Sequence, residues 1–371
     1  MKKLFLSVGL ALFLAGGAHA KTPAEVLKPY KEYRAALKAK NVSEALKYSY
    51  EAWQKAEELI GDSKITGDLA QNYGLVKNTT NNKKVRKQQE TALKRAWELG
   101  TKYAEEVSNM HLERGVNLMN FYQINNQTLK SYNVAKKISK YAEENDLTTT
   151  TFYGEALTQQ AGYYASKAKH KRAEAIAKKA LDAFSGNTDG IMTPMPILAN
   201  LYEGYGLEGQ NKSMEAALSY QKVMETLDGI SPDEHPLAAR ALGRWSHMRA
   251  VLEREGKLEE AENKGLCKCW PYDKPRNESL QPIKRQAPNM PGKAYVSGFS
   301  IIQFDVDDAG KTTNPEILVS WPKDLYEKSS LRALAKWEYT PRTEGEIDSD
   351  REDLVTTIRY ILRDSRGDVI Y

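Results

Sequence analysis

Apolar residues recur every three or four positions across residues 21–265, which is the spacing of helices that bury one face. A longer repeat is marked by alanines, whose small side chains allow two helices to approach closely. Six of these alanines are placed at equivalent positions: Ala45, Ala92, Ala135, Ala173, Ala216 and Ala261. The pattern predicts five or six pairs of helices that stack on one another.

This alternation of bulky and small helical positions resembles tetratricopeptide repeats, in which each helix pair packs on the next. The mean interval between the alanines is about 43 residues, compared with about 34 for a strict repeat. The resemblance is therefore to the architecture and does not extend to the consensus sequence. It implies an all-α solenoid whose groove holds peptides or partner domains.

The pattern changes where prolines follow the helical part of the chain. Over residues 271–282, each proline removes a backbone donor and disfavours a helix before it. Residues 266–285 are therefore predicted to form a Pro-rich connector. It leads into a predicted C-terminal domain of residues 286–371.

The C-terminal domain begins with a predicted β-hairpin. Residues 298–306 alternate between a more apolar side and a side with polar residues, which favours a half-buried strand. Gly310 suits the turn that follows, because glycine can take a positive φ. Ile317 and Val319 of the second strand are predicted to face the same core.

A helix and a last strand complete the predicted domain. Asp324 can cap a helix that runs from Leu325 to about Trp337, and a further strand covers residues 354–362. The predicted fold class is multidomain α+β. The helical array is followed by a small α+β domain in which one helix packs on a three-stranded antiparallel sheet.

Proline, glycine and aromatic residues are spaced along this domain in a fixed order. They are Pro288, Pro291, Gly298, Phe304, Gly310, Trp337 and Pro341. This set resembles the C-terminal domain of the TonB energy-transducer family, with Met290 at a position where the family usually has Tyr. The resemblance covers less than a quarter of the chain and implies the fold of that domain.

The resemblance also implies that the domain binds a short receptor segment, which is added as a strand beside its last strand. An exposed sheet edge offers unpaired backbone groups to an extended peptide. By position, the candidate residues are Thr356, Thr357, Ile358, Arg359 and Tyr360. The alternative is that this strand is covered or only completes the sheet.

The N-terminal residues have the features of a signal peptide. Two lysines precede an apolar stretch over residues 4–18, and Ala18 and Ala20 form a cleavage site before Lys21. The stretch falls short of the ~20 residues that span a bilayer. Residues 1–20 are therefore predicted to be removed, which places the mature protein in the periplasm. The alternative is a retained anchor, with the protein on the periplasmic face of the inner membrane.

Charge and motifs argue against several functions. Lysine and glutamate are mixed along most helices, and a formal net charge of +5 is no nucleic-acid signature. The spacings typical of nucleotide-binding, serine-hydrolase and metalloprotease motifs are absent from the sequence. We therefore predict no enzyme activity and no catalytic residue, metal, cofactor or small-molecule substrate.

Cys267 and Cys269 are the two cysteines of the chain. In an oxidising compartment they are expected to pair with each other in a disulfide. The alternatives are a thiol-redox role and a metal contact, although a structural zinc site needs four ligands.

These features predict a periplasmic protein of the Gram-negative envelope that binds proteins or peptides, outer-membrane receptors among them. The alternative function is a membrane-anchored TonB-type energy transducer for TonB-dependent transport. The energy transducers of that family keep an N-terminal membrane helix, which this chain is predicted to lose. Recognition of a partner is therefore the favoured function.

Overall fold

The structure is a computed structural model that describes residues 22–77, 82–103, 108–187, 189–191, 193–228, 230–232, 235–269, 271–272 and 280–363. The predicted signal peptide lies outside these residues. Within them, twelve helices precede the C-terminal sheet: α1 Ala24–Lys38, α2 Val42–Leu59, α3 Lys64–Leu75, α4 Lys83–Lys102, α5 Ser108–Ile124, α6 Thr128–Glu144, α7 Thr151–Ser166, α8 His170–Ser185, α9 Met195–Glu208, α10 Ser213–Thr226, α11 Pro236–Arg254 and α12 Leu258–Asn263.

The alanines chosen from the sequence identify the repeat of this array. They lie one in each even-numbered helix, and all six are 0% exposed: Ala45, Ala92, Ala135, Ala173, Ala216 and Ala261. An alanine at such a position allows the neighbouring helix to approach without leaving a cavity. The prediction of a helical repeat region is therefore confirmed.

The chain divides into two compact units. The first contains the described residues up to 159 together with 186–190, and the second contains 160–185 and the described residues from 191 onward. The boundary lies within α7, whereas the sequence suggested a division at the Pro-rich connector. The last helices of the array and the C-terminal domain therefore belong to the same compact unit.

A buried arginine holds three helices of the first unit together. Arg114 of α5 is 2% exposed, and its Nη1 donates to the Ala96 carbonyl of α4 at 3.1 Å. Its Nη2 lies 2.5 Å from Oδ1 of Asp68 on α3. A buried charge needs such partners, because an unpaired guanidinium away from water is strongly destabilising.

The C-terminal domain adds five strands and one helix to the second unit: β1 Pro282–Lys284, β2 Gly298–Val306, β3 Thr312–Trp321, α13 Glu327–Leu334, β4 Glu338–Tyr339 and β5 Leu354–Tyr360. The main sheet is three-stranded and antiparallel, as predicted, and its strand order is β3-β2-β5. A separate two-stranded sheet joins β1 to β4. Strand structure therefore begins at Pro282, before the predicted domain boundary at residue 286.

The sheet is buried on both faces, so the prediction of a half-buried strand is wrong. Ile302 and Phe304 of β2 pack with α13, while Phe299 and Ile301 pack with the last helices of the array. Gln303 and Asp305 lie on the same face of β2 as Phe299 and Ile301, so the alternation in the sequence made this face look polar.

Two local predictions in the hairpin region also need correction. A β-bulge pairs Ile301 with Val319 but Ile302 with Ile317, so these two residues of β3 face opposite cores. The domain helix begins at Glu327 after an N-cap at Tyr326, later than predicted. Asp324 does not cap it, because Asp324 lies two residues before the N-cap and has a left-handed φ of 64°.

Candidate partner-binding edge

The predicted binding strand is an edge strand of the main sheet. β5 pairs with β2 so that Gly298 lies opposite Tyr360 and Phe304 lies opposite Leu354. On its other side, β5 pairs with no strand among the residues that the structure describes. Its outer backbone edge is therefore the position at which another extended segment can add.

The side chains of β5 that point toward α13 belong to a closed core. Ile358 and Tyr360 are 5% and 3% exposed. The Tyr360 ring stacks on Tyr326 with 4.1 Å between ring centroids, and its hydroxyl lies 2.8 Å from Ser330 Oγ. These two candidate residues hold the strand in place and are not available to a partner's side chains.

The side chains on the opposite face of β5 reach the helical array and its connector. Thr357 Oγ1 lies 2.6 Å from the Tyr272 hydroxyl, and Arg359 Nη2 donates to Glu208 Oε1 of α9 at 3.1 Å. Thr356 is half-buried. The five candidate residues thus lie on one strand, and both faces of that strand are anchored within the protein.

Glu208 collects three donors from three different elements. Its carboxylate accepts from Arg244 Nη1 of α11 at 2.8 Å, from Arg359 Nη2 at 3.1 Å and from the Tyr220 hydroxyl of α10 at 2.7 Å. Burial alone would raise the pKa of the Glu208 carboxyl, but the two guanidiniums and the Tyr220 hydroxyl lower it to about 2. The carboxylate is therefore charged at neutral pH and ties the sheet to three helices of the array, α9, α10 and α11.

Close packing between α11 and β2 seats the sheet beside this ionic cluster. Phe299 is 4% exposed and lies against Gly243 of α11. A Cβ at residue 243 would overlap the Phe299 ring, so glycine is what permits this approach. Trp245, two residues after Gly243 on α11, packs on Tyr272 of the connector with ring centroids 5.9 Å apart.

The residues that carry the TonB resemblance support the fold and do not lie on the outer edge of β5. Gly310 takes a φ of 85° in the turn, and its carbonyl accepts from the Tyr339 N–H at 2.8 Å. Phe304 packs on Tyr339, and Trp337 Nε1 donates to the Gln286 carbonyl at 2.9 Å.

The other residues of that set are placed as follows. Gly298 opens β2, Pro288 and Pro291 are half-buried in the segment before it, and Pro341 is exposed just after β4. None of the three prolines contributes a donor or a charged group to the sheet edge.

Cys267 and Cys269 are joined in a disulfide just after α12. The Cys267 N–H donates to Gln221 Oε1 at 2.8 Å, and its carbonyl accepts from Arg249 Nη1 at 3.0 Å. Among the described residues, no group of three or more His, Cys, Asp or Glu side chains could hold a metal ion. The thiol-redox alternative stays a hypothesis.

Sequence reasoning missed the ionic cluster and the contact of Gly243 with Phe299. The Arg359–Glu208 pair joins residues 151 positions apart in the chain. The sequence did contain one indication of a charged site. Arg240 and Arg244 are four residues apart in α11, and this spacing places two charges on the same face of a helix. The pattern alone gave no sign of which acidic residue would pair with Arg244.

Within the part of the chain that the structure describes, no helix is both long and apolar enough to cross a membrane. No family model matches the sequence, and no curated protein matches it. Two solved structures are similar in part. The structure of BtubC (BKLC) from P. vanneervenii is 16% identical, with 63% of this chain and 87% of that chain covered and a TM-score of 0.40.

The second is the TPR2AB domain of yeast Sti1 in a complex with pHSP90. It is 14% identical, with 64% of this chain and 88% of that chain covered and a TM-score of 0.24. Similarities this weak assign neither a family nor a function. The TonB resemblance is not tested by them and stays a prediction.

Proposed function

We propose that the protein binds an extended segment of a partner protein by strand addition to the outer edge of β5. The observation that carries the proposal is that β5 pairs on one side only among the described residues, while its side chains are anchored on both faces. A strand held in this way presents its backbone groups in a fixed geometry. Such preorganisation lowers the entropic cost of binding.

The predicted signal peptide and the TonB resemblance support a location in the periplasm of a Gram-negative cell. Outer-membrane receptors are the partner class that the resemblance suggests. The helical array is proposed to bind proteins or peptides as well. The proposal includes no catalytic step, metal or cofactor.

Location is tested by sequencing the N-terminus of the protein purified from an envelope fraction. We expect Lys21 as the first residue, since residues 1–20 have the pattern of a cleaved signal peptide. A retained Met1 in the membrane fraction would contradict the periplasmic proposal and support the anchored alternative.

Strand addition is tested with proline at Thr356 and at Thr357, one at a time. Successive N–H groups of a strand point to opposite sides, so one proline removes a bond to β2 and the other removes a donor from the outer edge. Peptides of about ten residues, selected by display against the full chain, serve as probes.

We expect the proline at the outward position to weaken peptide binding at least about tenfold while thermal unfolding stays close to that of the unsubstituted protein. Thr356→Val and Thr357→Ser keep the N–H group, and Thr357→Ser also keeps the hydroxyl that contacts Tyr272, so both should bind the peptides normally. Unchanged binding by both folded proline variants would contradict strand addition at β5.

A further inference from the structure

We propose that a cleft beside the end of β5 binds a carboxylate of the added segment, and so sets which segments are accepted. This inference rests on the proposed strand addition. The cleft lies between α11 and the end of the sheet at which β2 begins and β5 ends. Its lining includes Arg240, Arg244, Trp321, Arg359 and Ile361.

The charge of the cleft favours an anion. Three guanidinium groups line it, and Glu208 pairs with two of them, those of Arg244 and Arg359. Arg240 forms no hydrogen bond or ion pair with any described residue and is half-buried. An arginine in this environment binds a carboxylate well, because its planar fork donates two parallel hydrogen bonds.

Trp321, another residue that lines the cleft, also has a donor without an acceptor. The indole Nε1 of Trp321 is buried and makes no hydrogen bond within the described part of the chain. A buried donor without a partner is destabilising. The cleft has a volume of about 30 Å³, which is room for a small polar group and not for a large ligand.

The position of the cleft points to a carboxylate that belongs to a polypeptide. Tyr360 and Ile361, the last residue of β5 and the next one, line the cleft. A segment added to the outer edge of β5 therefore runs beside residues that line the cleft. An antiparallel segment would offer an acidic side chain from its N-terminal half, whereas a parallel segment would offer one from its C-terminal half or its terminal carboxylate.

The test uses the display-selected peptides described above, labelled with fluorescein and titrated against the full chain. Each peptide is made with a free or an amidated C-terminus, and each Asp or Glu is replaced in turn by Asn or Gln. These arms distinguish a side-chain carboxylate from the terminal one. The same peptides are titrated against Arg240→Gln and against Arg332→Gln.

We expect neutralising one carboxylate to weaken binding about tenfold or more, and we expect Arg240→Gln to remove that difference. Arg240→Gln should leave the unfolding temperature nearly unchanged, since Arg240 forms no hydrogen bond or ion pair with the described residues. Arg332 is an exposed arginine of α13 on the other side of the sheet, so Arg332→Gln should behave as the unsubstituted protein.

Equal binding of charged and neutralised peptides, with binding still blocked by proline in β5, would overturn the carboxylate site and leave strand addition standing. Peptides whose binding depends on Arg240 but not on the β5 edge would overturn both proposals. An equal loss of carboxylate preference in Arg332→Gln would also overturn the assignment, because the effect would then be one of overall charge.

Discussion

The two faces of the C-terminal sheet are both buried, but they are buried by different means. The face toward α13 is a largely apolar core in which Phe304, Trp337 and Tyr360 pack together. The face toward the array combines apolar contacts of Phe299 with the charged contact of Arg359 to Glu208. One strand, β2, thus contributes to a core of its own domain and to a core shared with the helical array.

This difference explains why the domain is not a separate module on a flexible connector. The core toward α13 is built from residues close in sequence and defines the domain's fold. The core toward α11 fixes the domain on the array, and among the described residues the outer edge of β5 is left as the unpaired side. The binding edge is therefore held by the array as well as by its own sheet.

Removing a phenylalanine ring from either face of β2 should have the largest effect on the free energy of unfolding. Phe304→Ala and Phe299→Ala remove the same ring from β2, at 2% and 4% exposure, and each should lower the free energy of unfolding by about 3–5 kcal/mol. Hydrogen exchange separates them. Phe304→Ala should raise exchange mainly in α13 and β4, and Phe299→Ala mainly in α11.

A loss below about 1 kcal/mol for Phe299→Ala, with no change in the exchange of α11, would show that the contact with the array adds little. The comparison between the two faces would then fail. The same small effect for Phe304→Ala would instead question the domain's own core.

Removing the charge of Glu208 should have the next largest effect. Glu208→Gln leaves Arg244 and Arg359 without their carboxylate and should lower the free energy of unfolding at pH 7 by about 2–4 kcal/mol. Glu255→Gln is the control, because its pair with Lys257 is exposed and should cost less than about 1 kcal/mol.

The stabilisation by the Glu208 carboxylate should decrease as the pH falls. Its pKa is lowered from 4.5 to about 2, so its contribution is fully present above pH 4.5 and is lost as the pH falls toward 2. Burial lowers the pKa of His247 to about 3, which destabilises the fold in acid with or without the substitution. Urea unfolding of both proteins should therefore show a smaller difference at pH 3 than at pH 7, and an unchanged difference would contradict the assignment.

The structure within the C-terminal domain was easier to predict from the sequence than the contacts of that domain with the helical array. The β2–β3 hairpin with Gly310 in its turn and the alanine repeat depend on nearby residues, and both are observed. Side chains that pack within the domain, such as Phe304 and Trp337, were also recognisable from their spacing. The edge position of β5 was implied by the TonB resemblance.

The contacts with the array were not predictable in the same way. Arg359 and Glu208 are far apart in the chain, and their pairing depends on how α9 and α11 are stacked. The bulge that separates Ile317 from Val319 and the left-handed conformation of Asp324 depend on packing around them. Local hydrophobic patterns carry no information about such long-range choices.

The most direct test of the account is whether Gly243→Ala raises or lowers the free energy of unfolding, measured in the unsubstituted protein and in Phe299→Ala. Gly243→Ala should stabilise a helix interior by up to about 1 kcal/mol, but here the added Cβ overlaps the Phe299 ring, which should cost about 1–3 kcal/mol. Unfolding measurements should show that Gly243→Ala destabilises the unsubstituted protein and stabilises Phe299→Ala. Equal stabilisation in both backgrounds would contradict the claim that the array holds the sheet through α11.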